Sequence, residues 1–265
     1  MRKLKHLTSN YSLIIAISLL GFISPAYAQK FASIIIDDLG NNFDRGKSVI
    51  HFPAPVTLAI LPKTQFSASL ANLAHSHNKE IILQLPLQPI ANHDHSPGML
   101  NLHMTHQEFL SELKSNIESV PYIQGINNHM GSLLTMHPGH MNWLMKEVSA
   151  IGDLYFVDSR TSIKSVANTI ATENNVPSLE RDVFLDPDYK PDTIKKQFQR
   201  FINIINRQGH GIAIAHPHPR TLQFIKEHLS ELEDNDIELI TLSQLIKLKA
   251  GNTYVTCTGT TCAGL

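Results

Sequence analysis

Four times along this 265-residue chain, a short and strongly apolar run stops abruptly on a cluster of polar, chemically capable side chains. Phe31-Ala32-Ser33-Ile34-Ile35-Ile36 ends on Asp37-Asp38, and Ile123-Gln124-Gly125-Ile126 opens onto Asn127-Asn128-His129-Met130-Gly131-Ser132. Tyr155-Phe156-Val157 leads to Asp158-Ser159-Arg160, and Gly211-Ile212-Ala213-Ile214-Ala215 to His216-Pro217-His218-Pro219. In a sheet or barrel of parallel strands such ends gather on one face, where α/β proteins place their chemistry. The pattern therefore predicts that carboxylates, histidines and an arginine converge.

The rest of the chain supports that class. Candidate strands lie near 31–37, 56–60, 80–85, 122–127, 154–158, 178–183, 211–216 and 237–240, and amphipathic segments fill most of the gaps, as crossover helices do. Thr105-His106-Gln107-Glu108 is a capping-box pattern opening a helix to Val120. A helix over 192–208 carries Ile194, Phe198, Phe201, Ile202 and Ile205, with Gly209 at its expected C-cap. Thr221–Leu232 reads as another, and Gln88–His103 as a long loop. No solenoid-period repeat or glycine-serine linker divides the chain.

The N-terminus has a different purpose. Arg2, Lys3 and Lys5 precede an apolar stretch from Leu13 to Ile23, and Ala26-Tyr27-Ala28 offers small residues where a signal peptidase reads. This is the pattern of a secretory signal over residues 1–28. The stretch falls short of the ~20 apolar residues that span a bilayer, so no membrane span is expected after cleavage. The expected location is periplasmic or secreted. A single domain is expected over 29–249, with a flexible C-terminal tail over 250–265, and a monomer is expected. Losing three cations from 22 basic against 23 acidic residues leaves a mildly acidic chain, which does not recommend a nucleic-acid partner. The two cysteines, Cys257 and Cys262, could close a small loop in an oxidising compartment.

Successive residues of an extended strand point to opposite sides, so Asp37 and Asp38 divide their labour unless the strand has already turned. The structural alternative makes Asp38 or Asn41 a cap for a helix over Phe43–Phe52. His129, in a small-residue turn, and His216, ending the most apolar strand, are candidate ligands for a divalent metal such as zinc together with a carboxylate. His216 could equally donate a proton, and His218 lies two residues further on the same side. Asn128, Ser132, Asp158, Arg160, Arg181, Asp182 and His218 are candidate substrate contacts. The arginines could also be ion-pair ties between strands. His93-Asp94-His95 lies in a loop with no anchoring strand. The chain has no Gly-x-Ser-x-Gly elbow and no Walker A sequence, and no Gly-x-Gly-x-x-Gly follows the first strand. Metal-assisted hydrolysis is the coherent reaction class that remains.

Taken in order, Ile35-Ile36-Asp37-Asp38-Leu39-Gly40, Leu85-Pro86-Leu87-Gln88-Pro89, Asn127-Asn128-His129-Met130-Gly131-Ser132, Val157-Asp158-Ser159-Arg160 and Ile214-Ala215-His216-Pro217 resemble the divergent polysaccharide deacetylases. The likeness spans nearly all of residues 31–248. It implies an irregular (β/α) barrel of about seven parallel strands with the site at the strand C-termini. It also implies a polysaccharide or oligosaccharide substrate, with Asp37 as base and Asp38 as metal ligand. Related deacetylases take two histidine ligands from a His-x-x-x-His motif where this chain has Leu85–Pro89, and the divergent family often has Met-Glu in place of Leu87-Gln88. His129 is therefore the substitute ligand, and His216 the third ligand or the proton donor. The reaction implied is removal of N-acetyl groups from an envelope or extracellular polysaccharide. A carbohydrate-binding or envelope-organising protein that lost catalysis, and a phosphoester hydrolase, are the alternatives.

Overall fold

The computed structural model describes residues 29–91 and 96–257. The expected signal segment, the His93-Asp94-His95 cluster and Cys262 lie outside the described residues, and with Cys262 the expected cysteine pair. The described strands are β1 Lys30–Leu39, β2 Thr57–Ile60, β3 Ile81–Leu87, β4 Gly125–Met130, β5 Tyr155–Asp158, β6 Ser178–Glu180, β7 Val183–Phe184, β8 His210–Ala215 and β9 Ile237–Leu239. They pair in parallel throughout, in the order β6-β5-β4-β3-β2-β1-β8-β7, with β9 also on β1. The two ends of this order are consecutive pieces of one segment, since β6 pairs with β5 and β7 with β8. At the kink between them, the Arg181 N–H bonds Asp158 O and the Asp182 N–H bonds Ile212 O. The ring is completed through that kink, so the architecture is the expected irregular α/β barrel.

The helices are α1 Phe43–Ile50, α2 Ser67–Ser76, α3 His106–Glu118, α4 Pro138–Ile151, α5 Ala167–Glu173, α6 Pro191–Gln208, α7 Pro219–Glu227, α8 Leu229–Glu233 and α9 Leu242–Cys257. The capping box at Thr105 and Glu108 is formed, and α6 ends on Gly209 at φ 82. The stretch expected as one helix from Thr221 to Leu232 is two, broken at His228, whose ring stacks on Phe224. Helix α9 runs across the expected boundary at residue 249. No helix among the described residues is long and apolar enough to cross a membrane.

Strand alternation sorts the core into two layers. Ile35, Ala59, Ile82, Val157, Ile212 and Ile214 pack together inside the barrel. Ile34, Ile36, Leu83, Leu85, Ile126 and Phe156 face outward onto helix residues such as Leu70, Phe109, Phe198 and Phe201. Two-residue periodicity then puts Asp37 on the side of Ile35, Gln84 on that of Ile82, Ser159 on that of Val157 and His216 on that of Ile214. Strand β4 starts later than expected and continues to Met130, because its backbone pairs with β3 as far as Leu87. Asn127, Asn128 and His129 are therefore strand residues, and their register against β3 is defined.

Candidate active site

Asp37 is 3% exposed and closes the inner layer at the C-terminal end of the barrel. Its Oδ1 accepts a 2.9 Å bond from Asn127 Nδ2, which also reaches Ser159 Oγ at 3.3 Å. Burial, reinforced by Asp38, pushes the Asp37 carboxyl up to about 7, against the opposing pull of His216, Asn127 and His129. Asp38 does not follow the alternation. Its φ is 58°, and the β1/β2 register shifts between Ile36 and Leu39. This left-handed residue turns the strand end so that both carboxylates border one cavity of about 250 Å3 with Gln84, His129 and His216. Such a backbone costs an L-residue on the order of 1–3 kcal/mol and persists only when its surroundings enforce it. Gln84 is the enforcing group: its Oε1 accepts the Asp38 N–H at 2.7 Å and its Nε2 donates to Asp38 Oδ1 at 2.8 Å.

The two histidines flank Asp38. His129 Nδ1 lies 3.2 Å from Asp38 Oδ1, and His216 Nε2 lies 3.7 Å from Asp38 Oδ2. Burial, the largest influence on Asp38, would raise its carboxyl, but His129, His216 and Gln84 together lower it. His216 is held from behind by Asp186, which is 1% exposed. Asp186 Oδ1 pairs with His216 Nδ1 at 2.9 Å, and Oδ2 accepts the His216 N–H at 3.0 Å and the Thr221 hydroxyl at 2.8 Å. Burial works against a charged His216 ring, yet Asp186, Asp38 and Asp37 outweigh it and raise the imidazole to about 9. With Nδ1 engaged by Asp186, the Nε2 edge is the one turned to Asp38.

Of the remaining expected residues, only Asn128 lines that cavity. Its Oδ1 accepts the Ser159 N–H and its Nδ2 bonds Met130 O, tying the ends of β4 and β5 together. Arg181 lies beneath the site, near enough to Asp37 and Asp158 to feel both charges, with its guanidinium on Ser159 O and Arg160 O and over the Phe184 ring. Asp158 is fully buried, and its Oδ1 accepts the Arg160 N–H. His218 stacks on Tyr189, outside the cavity that holds Asp37. Arg160 pairs with Glu180, Asp182 accepts the Ile212 N–H and a Gln208 amide proton, and Ser132 accepts the Ile90 N–H. These last three tie strands and loops rather than lining the cavity. Gln88, where the resemblance led one to look for a carboxylate, accepts the Leu102 N–H.

Three members of the site were not singled out from the sequence: Asn127, Gln84 and Asp186. Asp186 had a usable signal, because Val183-Phe184-Leu185 is a further apolar run that ends on a carboxylate. Gln84 had one as well, being the polar residue in the middle of Ile81-Ile82-Leu83-Gln84-Leu85, where a buried amide needs partners.

A carboxylate with two imidazoles is a zinc donor set, and neighbouring ligands of a tetrahedral zinc at ~2.0–2.2 Å stand roughly 3.4 Å apart. The 3.2 and 3.7 Å separations suit this pair by pair, but they involve different oxygens of Asp38. The Gln84 amide is fixed by the Asp38 N–H on its oxygen, so its Nε2 protons face Asp38 Oδ1 and His129 Nδ1, at 2.8 and 3.2 Å. A hydrogen-bond donor thus crowds the Asp38 oxygen that faces His129. Among the described residues no group of three or more His, Cys, Asp or Glu side chains is arranged to hold a metal ion. Asp38, His129 and His216 do meet, but as placed they do not fit a three-ligand cation.

Comparison with known proteins gives a consistent result. A family model described as divergent polysaccharide deacetylase matches residues 34–246. The chain is 34% identical over 229 residues to YibQ, an uncharacterized protein of Escherichia coli strain K12, covering 86% of this chain and 71% of that one. Among solved structures, the uncharacterized protein ATU2773 of Agrobacterium tumefaciens C58 superposes with a TM-score of 0.78 at 21% identity, covering 83% of this chain and 90% of that one. The catalytic domain of a peptidoglycan N-acetylglucosamine deacetylase from Eubacterium rectale shares the fold with a TM-score of 0.53 at 13% identity, over 81% of this chain and 89% of that one.

Proposed function

The chain belongs to the divergent polysaccharide deacetylase family, and we propose that it hydrolyses N-acetyl groups on an amino-sugar polymer of the cell envelope or extracellular space. One observation carries this reading: a buried carboxylate, Asp37, shares a cavity with a histidine, His216, that has its own buried aspartate. In the proposed reaction Asp37 takes a proton from water as the water oxygen bonds to the acetyl carbonyl carbon. His216 Nε2 then gives a proton to the nitrogen as the C–N bond breaks, releasing acetate and a free amine. Between about pH 7 and about pH 9 Asp37 is ionised and His216 protonated, which is the state this sequence of transfers needs. Positioned acid and base groups of this kind contribute on the order of 10²–10⁴ in rate. Asp38, fixed by Gln84, aligns His129 and His216.

The reading assigns no step to a cation, and the zinc implied by the family enters through the test. A secretory signal over residues 1–28 would deliver the chain to the periplasm or beyond, where such polymers lie. The test is acetate release from N-acetylated chitooligosaccharides and peptidoglycan fragments, measured with metal-free protein and again with added zinc, each against Asp37→Asn. Release above that control supports the reading, and its dependence on zinc decides whether a cation takes part. No release above the control in either condition overturns it.

A further inference from the structure

Asp38 and His216 are shared walls. On their other side lies a second cavity of about 310 Å3, lined also by Asn41, Asn42 and Arg45 around the start of α1 and by Tyr189, Pro217 and His218. Apart from Asp38 and His216, its lining residues have no part in the proposed reaction. The Arg45 guanidinium makes no hydrogen bond or ion pair with any described residue, although its backbone N–H is capped by Asn42. Other cations of this face are engaged, Arg160 by Glu180, Lys190 by Asp188 and Arg181 by two backbone carbonyls, while Lys164 and Arg220, whose side chains also pair with no described residue, do not line this cavity. A long cation left unpaired beside a cavity is available to a ligand, and its planar fork suits carboxylate and phosphate oxygens.

Opposite Arg45 is an aromatic wall. Tyr189 is 39% exposed and its ring stacks on His218, with centroids 4.8 Å apart and planes 25° apart. Tyr189 has a φ of 54°, a conformation that a bulky side chain seldom adopts. The turn is held by Asp188, whose Oδ1 accepts the Lys190 N–H and whose Oδ2 accepts the Thr193 hydroxyl. His218 is oriented in turn, because its Nδ1 caps α7 by accepting the Arg220 N–H. The one carboxylate lining this cavity, Asp38, has its oxygens 3.2 Å from His129 Nδ1 and 3.7 Å from His216 Nε2.

We propose that this second cavity is a subsite for the adjacent sugar of the polymer, and that it selects a hexosamine carrying an anionic substituent. The Tyr189–His218 wall takes the apolar face of the pyranose ring and Arg45 takes the carboxylate or phosphate. The proposal rests on the deacetylase reading, because the shared walls put the neighbouring acetamido group beside Asp37. It also names what that reading leaves open, the class of polymer.

The experiment measures binding rather than turnover, in an Asp37→Asn background, by calorimetry or ligand-observed NMR. Three probes are compared: neutral di-N-acetylchitobiose, the N-acetylglucosaminyl–N-acetylmuramic acid disaccharide, and N-acetylglucosamine 6-phosphate. At least one anionic probe is expected to bind more tightly than chitobiose, and adding Arg45→Gln is expected to weaken that probe about tenfold, equivalent to about 1.4 kcal/mol. The same change should leave chitobiose within about twofold. Tyr189→Leu should weaken all three, with unfolding curves checking that each variant is folded. Which anion gains identifies carboxylate or phosphate as the substituent. Equal binding of neutral and anionic probes, or anionic binding untouched by Arg45→Gln, overturns the proposal. Arg45-dependent binding without acetate release by the wild type would instead remove the hydrolytic reading and leave the anion subsite standing.

Discussion

Replacing Asp37 by Asn should abolish acetate release and, above neutral pH, make the protein more stable. Asp37 is 3% exposed, and burial aided by Asp38 raises its carboxyl from 3.8 to about 7. An acid whose folded-state pKa is raised binds its proton more tightly in the folded chain than in the unfolded one. Its ionisation therefore costs little below pH ~4, costs progressively more as pH rises, and reaches its full cost above about 7. A rise of about 3 units at about 1.4 kcal/mol each makes that full cost on the order of 4 kcal/mol. Asn brings no charge to desolvate, and its carbonyl oxygen can accept the same Asn127 amide bond that Asp37 Oδ1 accepts. Denaturant unfolding of both proteins at pH 4, 6 and 8 checks this. The variant's advantage should be about 1 kcal/mol or less at pH 4 and on the order of 4 kcal/mol at pH 8. A variant no more stable than wild type at pH 8, or an advantage independent of pH, would show that burial does not raise the Asp37 carboxyl.

Asp186→Asn removes the strongest support for a charged His216 while leaving the ring buried, so the His216 pKa should fall from about 9 to near or below 6.5. NMR titration of the ring protons reads this directly, and a value still close to 9 contradicts the assignment. Because a raised histidine stabilises the fold below pH ~6.5 and ceases to as pH climbs through about 9, the variant should also lose stability mainly at acidic and neutral pH. Gln84→Glu exchanges the amide donor beside Asp38 and His129 for a carboxylate and so completes a donor set. Calorimetry should show zinc binding at least about tenfold tighter than wild type, and equal affinities would mean that the amide is not what keeps a cation out. Glu80 is a control at the other end of the barrel. It is buried and accepts from Thr57 Oγ, Tyr155 OH and the Ser243 N–H. Glu80→Ala should lower stability by on the order of 3 kcal/mol by leaving those donors unmet, with activity per folded molecule unchanged.

The barrel was legible because its signal is redundant. Apolar runs of strand length alternate with amphipathic helices, and shifting any one boundary by two or three residues, as happened at Gly125, leaves the architecture intact. Asp37, Asp38, His129 and His216 were legible because a carboxylate or imidazole ending an apolar run is costly unless used. Position next to a strand end was a poorer guide for Arg160 and Asp182. Both sit at strand ends, but Arg160 reaches sideways to Glu180 and Asp182 turns down to the start of β8 at Ile212. Sequence adjacency says which strand a residue belongs to, and it does not say toward which end of the barrel a side chain at a kink will turn. The kink at Arg181-Asp182 is itself tertiary, made by pairing one segment with two different neighbours.

The aspartate pair reaches one cavity despite strand alternation. In an undistorted β1, Asp37 would face inward with Ile35, and Asp38 outward with Ile34 and Ile36 among the helix-facing residues. The left-handed backbone at Asp38 breaks that rule at the last possible residue, after the strand has completed its register with β8 at Ile36. Gln84 holds that geometry against its intrinsic cost by binding both the backbone N–H and the carboxylate of Asp38. Gln84 reaches this position by the simplest of the fold's rules, lying two residues beyond Ile82 on the inner face of the neighbouring strand but one. The parity that builds the core thus delivers Asp37, Gln84, Asn127 and His216 to the mouth of the barrel, and a single strained residue is enough to add Asp38 to them.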